Sequence, residues 1–234
     1  MLRTVFIEVP FRVAATLRGA RVFHPYGLVV QGQVEFDSTW WPSTLPSPQP
    51  LIARLSGGIG TPSGLPDVLG LALKLSDGTD EWDILLASSG TSTATRVLPL
   101  PAAGWSSAQY SSLMPYEAGE TLRWVLAIPV GTHPTSTSVA ALMRAIAKGP
   151  LRFDLGLASP TGEVVPAGHL SLFEVRQMAD EAHPDFDPVL NCPPELVLRP
   201  RWLSAARIHA YRGSRQGRAT ARPDSPSPGR DRRV

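Results

Sequence analysis

Two stretches of this 234-residue sequence bring together side chains that could do chemistry. The first is Arg21-Val22-Phe23-His24-Pro25-Tyr26-Gly27, which sets a guanidinium and an imidazole just ahead of the run Leu28–Phe36. In that run Val30, Gly32, Val34 and Phe36 fall on one face and Gln31, Gln33 and Glu35 on the other, the pattern of a half-buried strand. A loop feeding a rigid strand is a good mount for a catalytic imidazole; the bland alternative is a hydrogen-bonded structural histidine. The second stretch is Arg207-Ile208-His209-Ala210-Tyr211. Pro200 suits a helix start and the alanines that follow continue it, so Arg207 and Tyr211, four apart, sit side by side; Arg218, seven further on, shares that face if the helix continues so far. Between the two stretches, the strand-like Leu51-Ile52-Ala53-Arg54-Leu55-Ser56 carries another guanidinium and a hydroxyl.

The elements that must hold these groups are mostly strands. Leu69, Leu71, Leu73 and Leu75 alternate with small or polar residues, as do Leu151, Phe153, Leu155 and Leu157. Trp82–Ser88, 122–130 and Leu170–Val175 add three more strands. Helices are predicted over 9–22, between N-caps offered by Thr135–Ser138 and an end at Gly149-Pro150, and from Pro200 through Tyr211. In the middle helix Val139, Leu142, Met143 and Ile146 line one face. The Ser/Thr-rich stretch 89–108 reads as loop, and Gly57–Gly64 reads as a connector: it lacks the spacing and the Lys-Ser/Thr of a phosphate loop. Strands in series with few helices predict a mainly β, α+β domain built on an antiparallel barrel with a few flanking helices.

Composition narrows the functional classes. The 24 prolines and 20 glycines favour short elements and turns. A single cysteine, Cys192, excludes a disulfide framework and a multi-cysteine zinc site. From Arg212 onward seven arginines face two aspartates, +5 against a whole-chain charge of +2, so the body carries −3 and the basic character belongs to a tail. Residues 219–234, rich in Pro, Ser and Arg, read as a disordered tail following a domain over 1–218. The tail is either solvated terminus or a weak electrostatic hold on nucleic acid or anionic lipid; nucleic acid is not expected as the main partner. No apolar run is long enough to span a bilayer and no secretory layout opens the sequence, so a cytoplasmic protein without membrane attachment is the expectation.

Taken in order, these segments resemble the heme-dependent catalase superfamily in a shortened form. Arg21-Val22-Phe23-His24 with Gly27 is similar to its distal-histidine motif, and Pro50–Ser56 to its second barrel strand. Pro66-Asp67 through Leu75 and Glu81-Trp82-Asp83-Ile84-Leu85 are similar to the next two strands. Phe186-Asp187-Pro188 and Arg207–Tyr211 resemble the approach to, and core of, the proximal-tyrosine helix. The likeness covers roughly 10–90 and 166–218.

The resemblance implies a catalase-type barrel that binds heme b, with Tyr211 as the phenolate ligand of the iron and Arg207 hydrogen-bonding that oxygen. Arg21, Arg54 and Arg218 take the positions where the family pairs propionates with guanidinium groups. His24 takes the place of the distal base and Ser56 of its orienting partner. Ser88 stands where the family has its distal asparagine, Gly213 stands where it has an aspartate, and Ser/Thr and Pro replace the aromatic cover of the heme. The implied function is peroxide metabolism, catalase-like or peroxidase-like, on hydrogen peroxide or an organic hydroperoxide; the alternative is a barrel that binds heme or an apolar ligand without redox turnover. The family's long N-terminal arm, wrapping segment and helical tail, which lock large catalases into tetramers, have no counterpart here, and a homo-oligomer stays open.

Overall fold

A computed structural model describes residues 27–41, 45–57, 61, 65–176 and 184–199. In chain order it contains β1 (Gly27–Phe36), β2 (Gln49–Gly57), β3 (Leu69–Ser76), β4 (Glu81–Ser89), β5 (Gln109–Ser111), β6 (Tyr116–Ala118), β7 (Thr121–Val130), α1 (Val139–Ile146), β8 (Leu151–Ala158), β9 (Val164–Val175) and β10 (Val197–Leu198). Eight strands, in the order β7-β5-β4-β3-β2-β1-β9-β8, close on themselves through the β7–β8 pairing, and every pairing is antiparallel. The short β6 and β10 extend a flap from β7.

Strand alternation decides what fills the barrel. Leu51, Ala53 and Leu55 of β2, the four odd-numbered leucines of β3, and Trp82, Ile84 and Leu86 of β4 all point inward and are at most 4% exposed. Phe153, Leu155, Leu170 and Leu172 meet them from β8 and β9, and Tyr110 from β5. An eight-stranded barrel is just wide enough for side chains to fill its interior, and these do. Crossing the ladder from Phe36 through Gly168, Leu155, Ala127 and Tyr110 leads to Ser88. Level with Ser88 are the starts of β3 and β1, not Phe36. The closure is therefore staggered by about ten residues, which sets the strands at a tilt.

One end is sealed by aromatic rings. Phe36, Trp40, Trp41, Trp82 and Tyr116 pack with centroids 4.9–6.5 Å apart. Trp41 Nε1 donates to the Ala167 carbonyl at 2.6 Å. Gly32 marks the β1–β9 register shift, where a Cβ would come 2.5 Å from the Ser171 carbonyl oxygen, so a side chain there would separate the two strands.

The mainly β architecture agrees with the expectation from sequence, and so do β1, β2, β3, β4, β7 and β8 within a residue or two. β9 starts at Val164, six residues before the expected run, and β5, β6 and β10 are too short to show a period. α1 is the only helix among the described residues. Its N-cap is Ser138, the last of the four residues the sequence offered, and no side-chain cap bond forms. Only Leu142 and Ile146 of the expected apolar face are buried, while Met143 is 45% exposed. The helices expected over 9–22 and 200–211, and the tail 219–234, lie outside the described residues.

Leu55 is fully buried in the filled interior, where a deletion leaves a cavity that the closed sheet cannot collapse. Leu55→Ala is expected to lower unfolding stability by about 2–5 kcal/mol, read from the shift of the urea midpoint at unchanged slope.

Candidate functional site

With the interior filled by apolar side chains, the sequence-predicted Arg54 and Ser56 stand on the outward face of β1–β4. The register arranges that face in three cross-strand rows. Gly27, Ser56, Gly70 and Ala87 form one; Val29, Arg54, Ala72 and Leu85 the next; Gln31, Ile52, Lys74 and Asp83 the third. The first row contains nothing larger than serine and spans about 14 Å across four strands; this row of small side chains, in which Ala87 is 7% exposed, is called the trough below. A Cβ on Gly70 would already stand 3.0 Å from Ser56 Oγ. Arg54 borders the trough, and its guanidinium lies so close over Gly27 that a Cβ there would run into Nε.

Arg54 and Ser56 are thus brought to one face beside the first residue of β1. His24 lies outside the described residues, as do Arg21, Arg207, Tyr211 and Arg218.

Ser88 is placed differently. It lies six residues after Trp82 and so shares its inward face, at 1% exposure. Its hydroxyl accepts from the Leu69 amide at 2.9 Å and donates to the Leu100 carbonyl at 2.6 Å. The group therefore stitches the 90–102 loop to β3 and β4 and presents no donor to the outward trough.

Four other polar side chains are held within the fold. His133 is 6% exposed and donates from Nε2 to the Arg152 carbonyl at 2.8 Å, since a carbonyl can only accept. Burial lowers its pKa, partly offset by that bond. Tyr110 is fully buried, and burial drives its phenol pKa far up, so it stays neutral. Arg96 is 1% exposed, donates to the Ser159 carbonyl at 2.6 Å and lies 4.4 Å over the Trp124 ring; burial lowers its pKa. Burial, with Glu195 nearby, pushes the Cys192 thiol up to about 11, where it is not nucleophilic at neutral pH. Among the described residues no three His, Cys, Asp or Glu side chains gather to hold a metal ion, and no helix is long and apolar enough to cross a membrane.

Sequence reasoning missed what happens in the third row. Asp83 has a fully buried side chain, and its Oδ1 pairs with Lys74 Nζ at 2.8 Å. Its Oδ2 accepts the Asp187 amide at 2.6 Å and Asn191 Nδ2 at 2.7 Å, and its own amide donates to the Asn191 carbonyl at 2.9 Å. Lys74 also reaches Glu81 at 2.8 Å and lies 5.8 Å from the Phe186 ring centroid. Burial opposes the charge on Lys74, but the Asp83 and Glu81 carboxylates outweigh it and raise its pKa. Asp187 Oδ1 takes the amides of Val189 and Leu190, shaping the turn it opens. Residues 184–199 are thereby strapped to the barrel, and farther on Arg199 pairs with Glu117 beside the β10–β6 ladder. The sequence did flag Lys74, Asp83 and Asp187, each inside a different motif; their meeting bridges more than a hundred positions and leaves no local signature.

Two substitutions probe this assignment. Ser88→Ala should destabilise the fold by about 1–3 kcal/mol, because a buried amide and carbonyl lose their partner; equal midpoints in chemical denaturation would refute the stitching role. For His133, the folded pKa lies below the ordinary value near ~6.5, so the unfolded chain binds the proton more readily. Stability should be level above that pH and decline as pH falls below it. His133→Gln, which keeps the donor to Arg152 but cannot titrate, should flatten the decline in melting temperature.

No protein-family model matches this chain, and no curated protein matches it. The functional reading rests on the residues themselves.

Proposed function

We propose that the trough on the outward face of β1–β4 is the distal wall of a heme site, and that the protein is a heme-dependent, peroxide-metabolising barrel of the catalase type. The observation that carries this is the Gly27–Ser56–Gly70–Ala87 row: four small residues in register, beginning three positions after His24 in the sequence, with the Arg54 guanidinium over its Gly27 end. These residues fit a planar cofactor, since small side chains leave room for a ring face and a guanidinium at the edge suits a carboxylate. Arg54 would hold a propionate together with Arg21 and Arg218. Tyr211 would supply the iron ligand, with Arg207 one turn away favouring its ionised form. A bound heme would supply the redox centre at which the peroxide O–O bond breaks. The chain's own part is proton transfer: neutral His24 would take the proton from the inner peroxide oxygen and return it to the leaving one, held in its tautomer by the Ser56 hydroxyl. The substrate would be hydrogen peroxide or an organic hydroperoxide, and the setting cytoplasmic.

A second reading, heme or apolar-ligand binding without turnover, draws on Ser88. Its hydroxyl is committed inward to Leu69 and Leu100, so position 88 does not give the trough the polar group that the family places beside the distal histidine.

Heme titration of the purified chain separates these readings. Uptake with a tyrosinate-type ferric spectrum is expected, lost in Tyr211→Phe, and blocked in Gly70→Val, whose side chain would fill the trough. In stopped flow with peroxide, His24→Ala should slow the reaction by at least ~10²-fold while retaining heme. Equal slow rates for wild type and His24→Ala would favour the second reading, and absence of heme uptake by the wild type would end both heme readings.

A further inference from the structure

We infer that Asp83 is a positioning residue for the trough, holding the strap 184–191 alongside it, two rows away along β3 and β4, as a wall of the ligand site. The inference rests on the trough being that site and adds what bounds it. Asp83 and Ala87 lie on the same outward face of β4, and Lys74 and Gly70 on the same outward face of β3. Four residues of strand separate each pair, about 13 Å. The strap therefore crosses the sheet two rows from the floor, with Phe186 buried at 6% exposure against the Lys74 row.

The hold is concentrated in one carboxylate. Its Oδ1 faces Lys74 and its Oδ2 faces two strap donors, the Asp187 amide and the Asn191 side chain. Charge-assisted bonds in a fully buried setting are strong, and each donor left without its acceptor would be stranded. Asparagine at position 83 offers one oxygen and a donor, so it cannot satisfy both sides. A ligand seated between floor and strap would then lose one wall while the barrel interior, which faces the other way, keeps its packing.

The test compares wild type, Asp83→Asn and Asn191→Ala as full-length proteins, with two readouts: hydrogen exchange at the Asp187 and Asn191 amides, and heme dissociation measured by transfer to an apo-globin acceptor. In Asp83→Asn both rates should rise by about tenfold or more, while exchange at Leu71 and Leu73 stays unchanged. Asn191→Ala removes one strap donor and leaves the Lys74–Asp83 pair; it should raise both rates by about threefold or more, and it carries the test if Asp83→Asn fails to fold. A loosened strap with unaltered heme retention overturns the positioning role and leaves the heme reading standing. Unaltered exchange at the strap in both variants overturns the hold itself. Failure of the wild type to take up heme overturns the heme reading, and this inference with it.

Discussion

Closing the sheet between β7 and β8 is the constraint on which everything else depends. It removes the free edges that an open sheet would expose and turns half of every strand toward a space with no room for water. That half must be apolar and well fitted, and the leucines of β3 with Phe153, Leu170 and Leu172 meet the demand. Polar chemistry is thereby displaced to the outside, where Ser56, Arg54, Lys74 and Asp83 share the outward face of neighbouring strands. A buried carboxylate such as Asp83 is tolerable there because a cation and two strap donors surround it; in the interior it would stand uncompensated.

Strands that alternate were legible in the sequence, because period two is the imprint of a sheet with one wet face. β3 is the clearest case: its four leucines, its small and polar partners and its two ends are all readable. β5, β6 and β10, at two or three residues each, carry no period, and only their neighbours in space make them strands. The missed beginning of β9 has a local cause: Val164–Gly168 contains Pro166, and Ala167 falls at the register shift opposite Leu155/Gly156 of β8, so the alternation is broken there.

The candidate site was legible in part. That Arg54 and Ser56 share a face follows from their two-residue spacing, and their approach to Gly27 from the pairing of consecutive strands. The inward turn of Ser88 was also available, since an even separation from a buried tryptophan places it inside; motif position drew attention away from parity. The Asp83 hub could not be read, because hydrogen bonds between residues about a hundred positions apart obey geometry that only the closed fold creates.

The pairing of β1 with β9 also dictates the order in which the barrel can be made. Val30 lies against Val175, so the first strand keeps one bare edge until nearly three quarters of the chain has been synthesised. β2, β3 and β4 can assemble on β1 as successive hairpins, but the ring waits for its most distant partner. Such non-local closure makes folding slow and leaves a strongly apolar, half-built sheet exposed in the interval, the condition in which nascent chains associate wrongly. A protein with this topology does best emerging where chaperones shield the open edge, and its yield in cells is governed by that interval as much as by the stability of the finished barrel.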